Sequence, residues 1–123
     1  MEKVIRIRIG DLSFEARLND TRIAGIIWEA LPISAAFNFW GDEIYFPIPV
    51  HQKILDFPKE VVEAGDLGYW PDGPCFCIFY GLTPISTPGK IKPASPIEVI
   101  GRVEDYEGFK QTKGITKITL ERV

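Results

Sequence analysis

GDLGYWPDGPCFCIFYGLTP, residues 65–84, decides how the chain is read. Tyr69, Trp70, Phe76, Phe79 and Tyr80 crowd around the turn Pro71-Asp72-Gly73-Pro74. Two short aromatic runs joined by a Pro/Gly turn predict two antiparallel strands. Residues 37–49, FNFWGDEIYFPIP, repeat the grammar with Gly41-Asp42 as the turn. Aromatic side chains this dense either fill a core or line a pocket. The pair of blocks therefore raises the question of a groove between them.

Strand signals also flank these blocks. Ile5, Ile7 and Ile9 alternate with Arg6 and Arg8, then Phe14, Ala16 and Leu18 alternate with Ser13, Glu15 and Arg17. With Gly10-Asp11 between them, they predict a hairpin with one apolar face. Asn19-Asp20-Thr21 is a helix-start signal, and Ile23, Ile27, Ala30 and Leu31 follow at helical spacing up to Pro32. This stripe, Thr21 to Leu31, is expected to cap one end of a β structure. Strands are further expected over 35–40, 43–48, 67–70, 75–81, 97–103 and 115–122. Residues 84–96, PISTPGKIKPASP, are the one true loop; 51–63 is ambiguous, divided by Pro58, with Glu60 to Val62 a candidate short strand; and a helical turn is expected within 104–112. About eight short strands with regular turns imply a closed barrel or sandwich. No repeat or linker divides the 123 residues, so one domain is expected.

Composition narrows the function. The chain is 46% hydrophobic and 25% charged, with a net charge of −3, which argues against non-specific nucleic-acid binding. No apolar run is long enough to span a bilayer, and MEKVIRIRIG reads as a strand and not a signal peptide, so cytoplasmic residence is expected. Cys75 and Cys77 stand two apart in an apolar run and are expected to be reduced and buried. His51 is the single histidine, so no metal site is expected. There is no nucleophile elbow, phosphate loop or legible catalytic set, and no cofactor is implied.

Several stretches carry a resemblance: Trp40-Gly41-Asp42-Glu43-Ile44-Tyr45-Phe46, Gly65 to Trp70, Pro71 to Thr83, and Pro93-Ala94-Ser95-Pro96 running into Val99-Ile100-Gly101-Arg102-Val103. Together they resemble the cyclophilin-like barrels, specifically a small, atypical prokaryotic branch. The resemblance covers nearly the whole chain and implies a mainly β fold: a closed antiparallel eight-stranded barrel with one main capping helix. It departs from the true prolyl isomerases at one place. Cys77 to Tyr80 is similar to the isomerase strand lining the proline pocket. The strand that bears the isomerase His-Arg pair would correspond to Ile44 to Ile48, where Tyr45 and Phe46 stand instead. No arginine occurs between Arg22 and Arg102.

That departure bears on chemistry. Prolyl isomerisation breaks amide conjugation against a barrier of ~20 kcal/mol. In the family, a guanidinium donates to the prolyl nitrogen as conjugation is lost, a fixed charged donor that tyrosine does not replace. The reading is a barrel that binds a small molecule or proline-containing peptide in an aromatic-lined pocket, without efficient isomerase activity. The alternatives are a divergent peptidyl-prolyl isomerase and a protein-interaction module. Trp40, Glu43, Tyr45, Tyr69, Trp70 and Phe79 are the candidate ligand-binding residues, expected to converge on one concavity.

Overall fold

The computed structural model describes residues 2–123. The alternating isoleucines form β1 (Lys3–Ile9), and β2 (Leu12–Leu18) returns antiparallel beside it. Ile5, Ile7 and Ile9 are fully buried, each side chain contributing roughly 1.5–3 kcal/mol by leaving water. Arg8 on the opposite face pairs with Glu121, and Glu15 lies across from Arg6.

Helix α1 (Arg22–Ala30) begins where the polar triplet predicts. The Thr21 hydroxyl accepts from the Ala24 amide, and Asn19 accepts from both the amide and the hydroxyl of Thr21. Asn19 also donates to the Val99 carbonyl, tying the helix entry to the sheet. Ile23, Ala24, Ile27 and Trp28 bury the helix's apolar stripe in the main core. At the other end the Arg122 guanidinium lies 4.5 Å from the Trp28 ring centre and donates to the Trp28 carbonyl, which satisfies an orphan acceptor of the last turn.

The remaining strands are β3 (Ile33–Ala36), β4 (Asn38–Phe39), β5 (Glu43–Pro47), β6 (Pro58–Lys59), β7 (Asp66–Trp70), β8 (Cys75–Phe79), β9 (Ile97–Val103) and β10 (Lys117–Arg122). A 3₁₀ helix, Tyr106–Thr112, precedes the last of them. All pairings are antiparallel, in the order β3-β10-β1-β2-β9-β7-β8-β5-β4, with β6 attached to β9. The two outermost strands, β3 and β4, are consecutive in the chain and separated only by Phe37. The segment 33–39 therefore runs from one edge of the sheet to the other, and the sheet is nearly closed into a barrel. Counted with β3 and β4 as one bent strand and the two-residue β6 set aside, the barrel has the expected eight strands.

Two apolar clusters lie on opposite faces of this sheet. The larger fills the interior, with Ile44, Phe46, Tyr69, Phe76, Ile78 and the helix stripe. Phe109 of the 3₁₀ helix is stacked on Phe14 at 4.0 Å within it. The smaller cluster, Val62, Cys75, Cys77, Phe79, Ile91 and Ile97, lies on the outer face of β5, β8, β7 and β9. It explains why β8 is buried at every position: both of its faces are covered. The loop 84–96 supplies part of the outer cover, through Ile91 and its bridge to Val62.

Candidate functional site

The two aromatic blocks do not face each other across a groove. They are neighbours in the sheet: β5 pairs β8 with Tyr45 opposite Cys77, and β8 pairs β7 with Cys75 opposite Trp70. The concavity lies instead between the shared outer face of these strands and the proline loop.

Strand parity sets which side chains reach it. On β5, Ile44 and Phe46 point into the barrel, so Glu43 and Tyr45 point out. The turn Gly41-Asp42 joins Trp40 to Glu43 by reciprocal backbone hydrogen bonds of 2.9 and 3.2 Å, which puts these two side chains on one face. Gly41 has φ +60°, and a Cβ there would stand 2.8 Å from the Leu82 carbonyl oxygen. The Asp42 amide donates to that same carbonyl, so the turn is pinned to the chain after β8. On β7, Gly68 and Trp70 share the outer face. A Cβ on Gly68 would crowd Ile97 and Phe79, so the missing side chain lets these two pack beneath the site.

A β-bulge on β9 adjusts the fourth wall. Leu67 lies opposite Gly101 but Gly68 lies opposite Val99, leaving Ile100 as the extra residue. The bulge turns Ile97 and Val99 outward while Ile100 and Val103 remain in the interior core. The loop is held from above. The Trp70 indole N–H donates to Ser95 Oγ at 2.6 Å, and Ser95 Oγ donates to Asp72 at 2.9 Å, clamping the loop to the β7–β8 turn. Ser86 Oγ accepts from the amides of Thr83 and Lys92, which closes the loop on itself before it reaches Pro93.

Trp40, Glu43, Tyr45, Trp70, Pro93, Ala94 and Ile97 line the resulting cavity of about 300 Å³, at the small end of the range for ligand pockets. Four of the six sequence-designated residues meet there. The other two are placed elsewhere by parity and burial. Tyr69 points into the barrel; its hydroxyl donates to the Val50 carbonyl at 2.7 Å and accepts from the Gln52 amide at 2.9 Å. It is fully buried and anchors the otherwise irregular 50–57 segment. Phe79 is on the outer face but wholly buried under the cavity wall.

Glu43 is the chemically distinctive member. It is 6% exposed, and its Oε1 is buried with no hydrogen-bond partner. Burial raises its pKa from 4.5 to about 7, partly countered by a hydrogen bond from the neighbouring Cys77 thiol. The same closeness raises the thiol: Cys77 lies well above its ordinary value, through burial first and the Glu43 charge second. Both cysteines are free and buried. No arginine lines the cavity. Among the described residues no three ligating side chains assemble into a metal site, and no helix is long and apolar enough to cross a membrane.

The Cyclophilin-like family model matches residues 3–121. The chain belongs to the cyclophilin-like family. A hypothetical protein of Archaeoglobus fulgidus, known from a solution structure, is similar to it at 39% identity with a TM-score of 0.84. The match covers 99% of this chain and 95% of that one. Among curated proteins there is no significant match. Membership in the cyclophilin-like family carries the fold; what the cavity does has to be argued from its own residues.

Pro93, Ala94 and Ile97 are the lining residues that the sequence does not designate. The stretch 93–96 carries part of the family resemblance, but its approach to Trp70 depends on the Ser95 bridge, a contact across 25 residues.

Proposed function

We propose that this cyclophilin-like barrel is a binding protein whose aromatic-lined cavity takes a small molecule or a peptide, without efficient prolyl isomerase activity. One observation carries the reading. Three half-buried aromatic side chains and one buried carboxylate line a single cavity, and no guanidinium is among them. The rings supply apolar area at ~25 cal/mol per Å² removed from water. Glu43 supplies a single oriented polar contact. The step that isomerases assist, loss of amide conjugation at proline, needs a donor aimed at the prolyl nitrogen. Tyr45 offers a neutral O–H at the corresponding strand, so the apolar cradle lacks its charged donor.

Two measurements test this. Fragment titrations followed by the indole N–H signals of Trp40 and Trp70 should show saturable shifts that are lost in Trp70→Ala. Trp28, on α1, serves as the internal reference. A protease-coupled assay with Xaa-Pro peptides should give turnover at least about 100-fold below that of an arginine-bearing cyclophilin, in line with the loss of one oriented donor. Turnover equal to such an enzyme would refute the binding-only reading.

A further inference from the structure

The chemical class of the ligand can be taken further, on the reading that the cavity is a binding site. The electrostatics of its lining are one-sided. Among the described residues, Glu43 takes part in no ion pair: the acidic partners in salt bridges are Glu2, Asp20, Glu29, Asp56, Asp66, Glu104 and Glu121. The two side-chain cations that lie over aromatic rings, Lys113 and Arg122, cover Phe39 and Trp28, not the rings of the cavity. Trp40, Tyr45 and Trp70 therefore present ring surface to a space that holds no protein cation. The Trp70 N–H, the one polar group of that ring, is already engaged by Ser95, which leaves its ring surface as what it can offer.

An aromatic face carries negative potential, and so does a carboxylate. Three such rings with one acid, uncompensated from within the protein, favour a positive guest. The Glu43 carboxyl group, which lines the cavity with no protein cation beside it, adds a second requirement: the guest must carry an N–H or O–H donor, which excludes a quaternary ammonium as the best fit. Volume adds a third, because about 300 Å³ admits a compact head and not an extended chain. The cavity shares Pro93 and Ala94 with a second depression that reaches Lys90 and Lys92, so a longer guest can leave by that side.

We infer that the cavity binds a compact protonated primary or secondary amine, its N–H donating to the Glu43 carboxylate and its apolar carbons lying against Trp40, Tyr45 and Trp70. Such a head occurs both in small amines and at the free amino terminus of a peptide.

The test uses matched probes on the full chain at about pH 8, where Glu43 is ionised and alkylamines remain protonated. Cyclohexylamine, cyclohexanol and cyclohexanecarboxylate share a ring and differ in charge. The peptide arm compares Pro-Ala-Ala amide with its N-acetylated form. Binding is read from the Trp40 and Trp70 indole signals. The amine is expected to bind at least about tenfold more tightly than the alcohol, with the carboxylate weakest, and the free-amine peptide should outbind the acetylated one if the source is peptide. Glu43→Gln should bring amine and alcohol within about twofold of each other. An alcohol that binds as well as the amine in the wild-type protein overturns the inference and leaves the binding cavity standing. If no probe of any charge moves the two indole signals, the cavity reading itself fails.

Discussion

Glu43→Gln has a consequence for stability that requires no ligand. In the folded protein Glu43 keeps its proton up to a pKa of about 7, against 4.5 as an ordinary side chain. Between these values folding takes up a proton, so stability falls as pH rises through this window. The wild type has its full stability from this group below about pH 4.5 and progressively loses it up to about pH 7, above which the loss levels off. The displacement corresponds to at most about 3 kcal/mol. The amide of glutamine keeps the shape and has no charge to desolvate. At pH 8 Glu43→Gln is therefore expected to be more stable than the wild type by up to about 3 kcal/mol, and at pH 4.5 the two should agree within about 1 kcal/mol. At roughly 4 °C per kcal/mol for a domain of this size, the gap in Tm at pH 8 is on the order of 10 °C. Cys75 and Cys77 are the titratable neighbours coupled to Glu43, and both thiols are raised above their ordinary range, so they lie above the window. Calorimetric scans of both proteins from pH 4.5 to 8.5 give the difference curve, in which groups common to both cancel. Two parallel Tm curves would show that Glu43 has an ordinary carboxyl pKa, and the reasoning would be wrong.

Tyr69→Phe removes the hydroxyl that holds Val50 and Gln52, leaving a buried carbonyl and an amide without their partner. A loss of about 1–3 kcal/mol in urea denaturation is expected, with the shifts of the Trp70 signal on amine binding retained. Loss of binding with no loss of stability would place Tyr69 in the site after all. Cys75 and Cys77, buried and free, should react with a bulky thiol reagent only as the protein opens, orders of magnitude more slowly than in denaturant. Fast modification of both in native buffer would contradict the packing of β8.

The fold was legible wherever one element decides its own state. The alternation of Ile5, Ile7 and Ile9, the capping residues before α1 and the Gly41-Asp42 turn are local signals, and each element stands where they point. Where partners decide, the reading was coarser: the single strand expected over 35–40 is divided in two, and the short strand at 58–59 was not expected. Ile33–Ala36 and Asn38–Phe39 are two strands because β10 captures the first and β5 the second, and the break at Phe37 is the barrel's seam. Pro58–Lys59 is a strand only because β9 offers an edge, and neither residue has strand character of its own. Residues 50–57 follow no repeating pattern because they are held by side chains from elsewhere: Tyr69 takes Val50 and Gln52, and the buried Glu98 accepts from the amides of Asp56 and Phe57.

The site shows the same division more sharply. Tyr69 and Trp70 are adjacent, so on a strand they cannot share a face. Composition could not say which one looks outward; the interior position of Phe76, opposite Tyr69, settles it. Glu43 stands out for a reason that spacing alone does not reveal. An acid beside a turn is ordinarily solvated, yet here Glu43 is buried in the wall of the cavity it shares with Trp40, Tyr45 and Pro93. Desolvation of the charged form then costs up to about 3 kcal/mol above pH 7, and within the protein only a weak thiol donor offsets it. A buried carboxylate with no cation and only a thiol beside it adds nothing to the fold that a glutamine or an apolar side chain would not supply better. On the amine reading proposed above, the partner that makes this arrangement favourable comes from outside, bringing its own proton and positive charge. That is why the stability gained in Glu43→Gln and the amine selectivity lost in it should be found in the same variant.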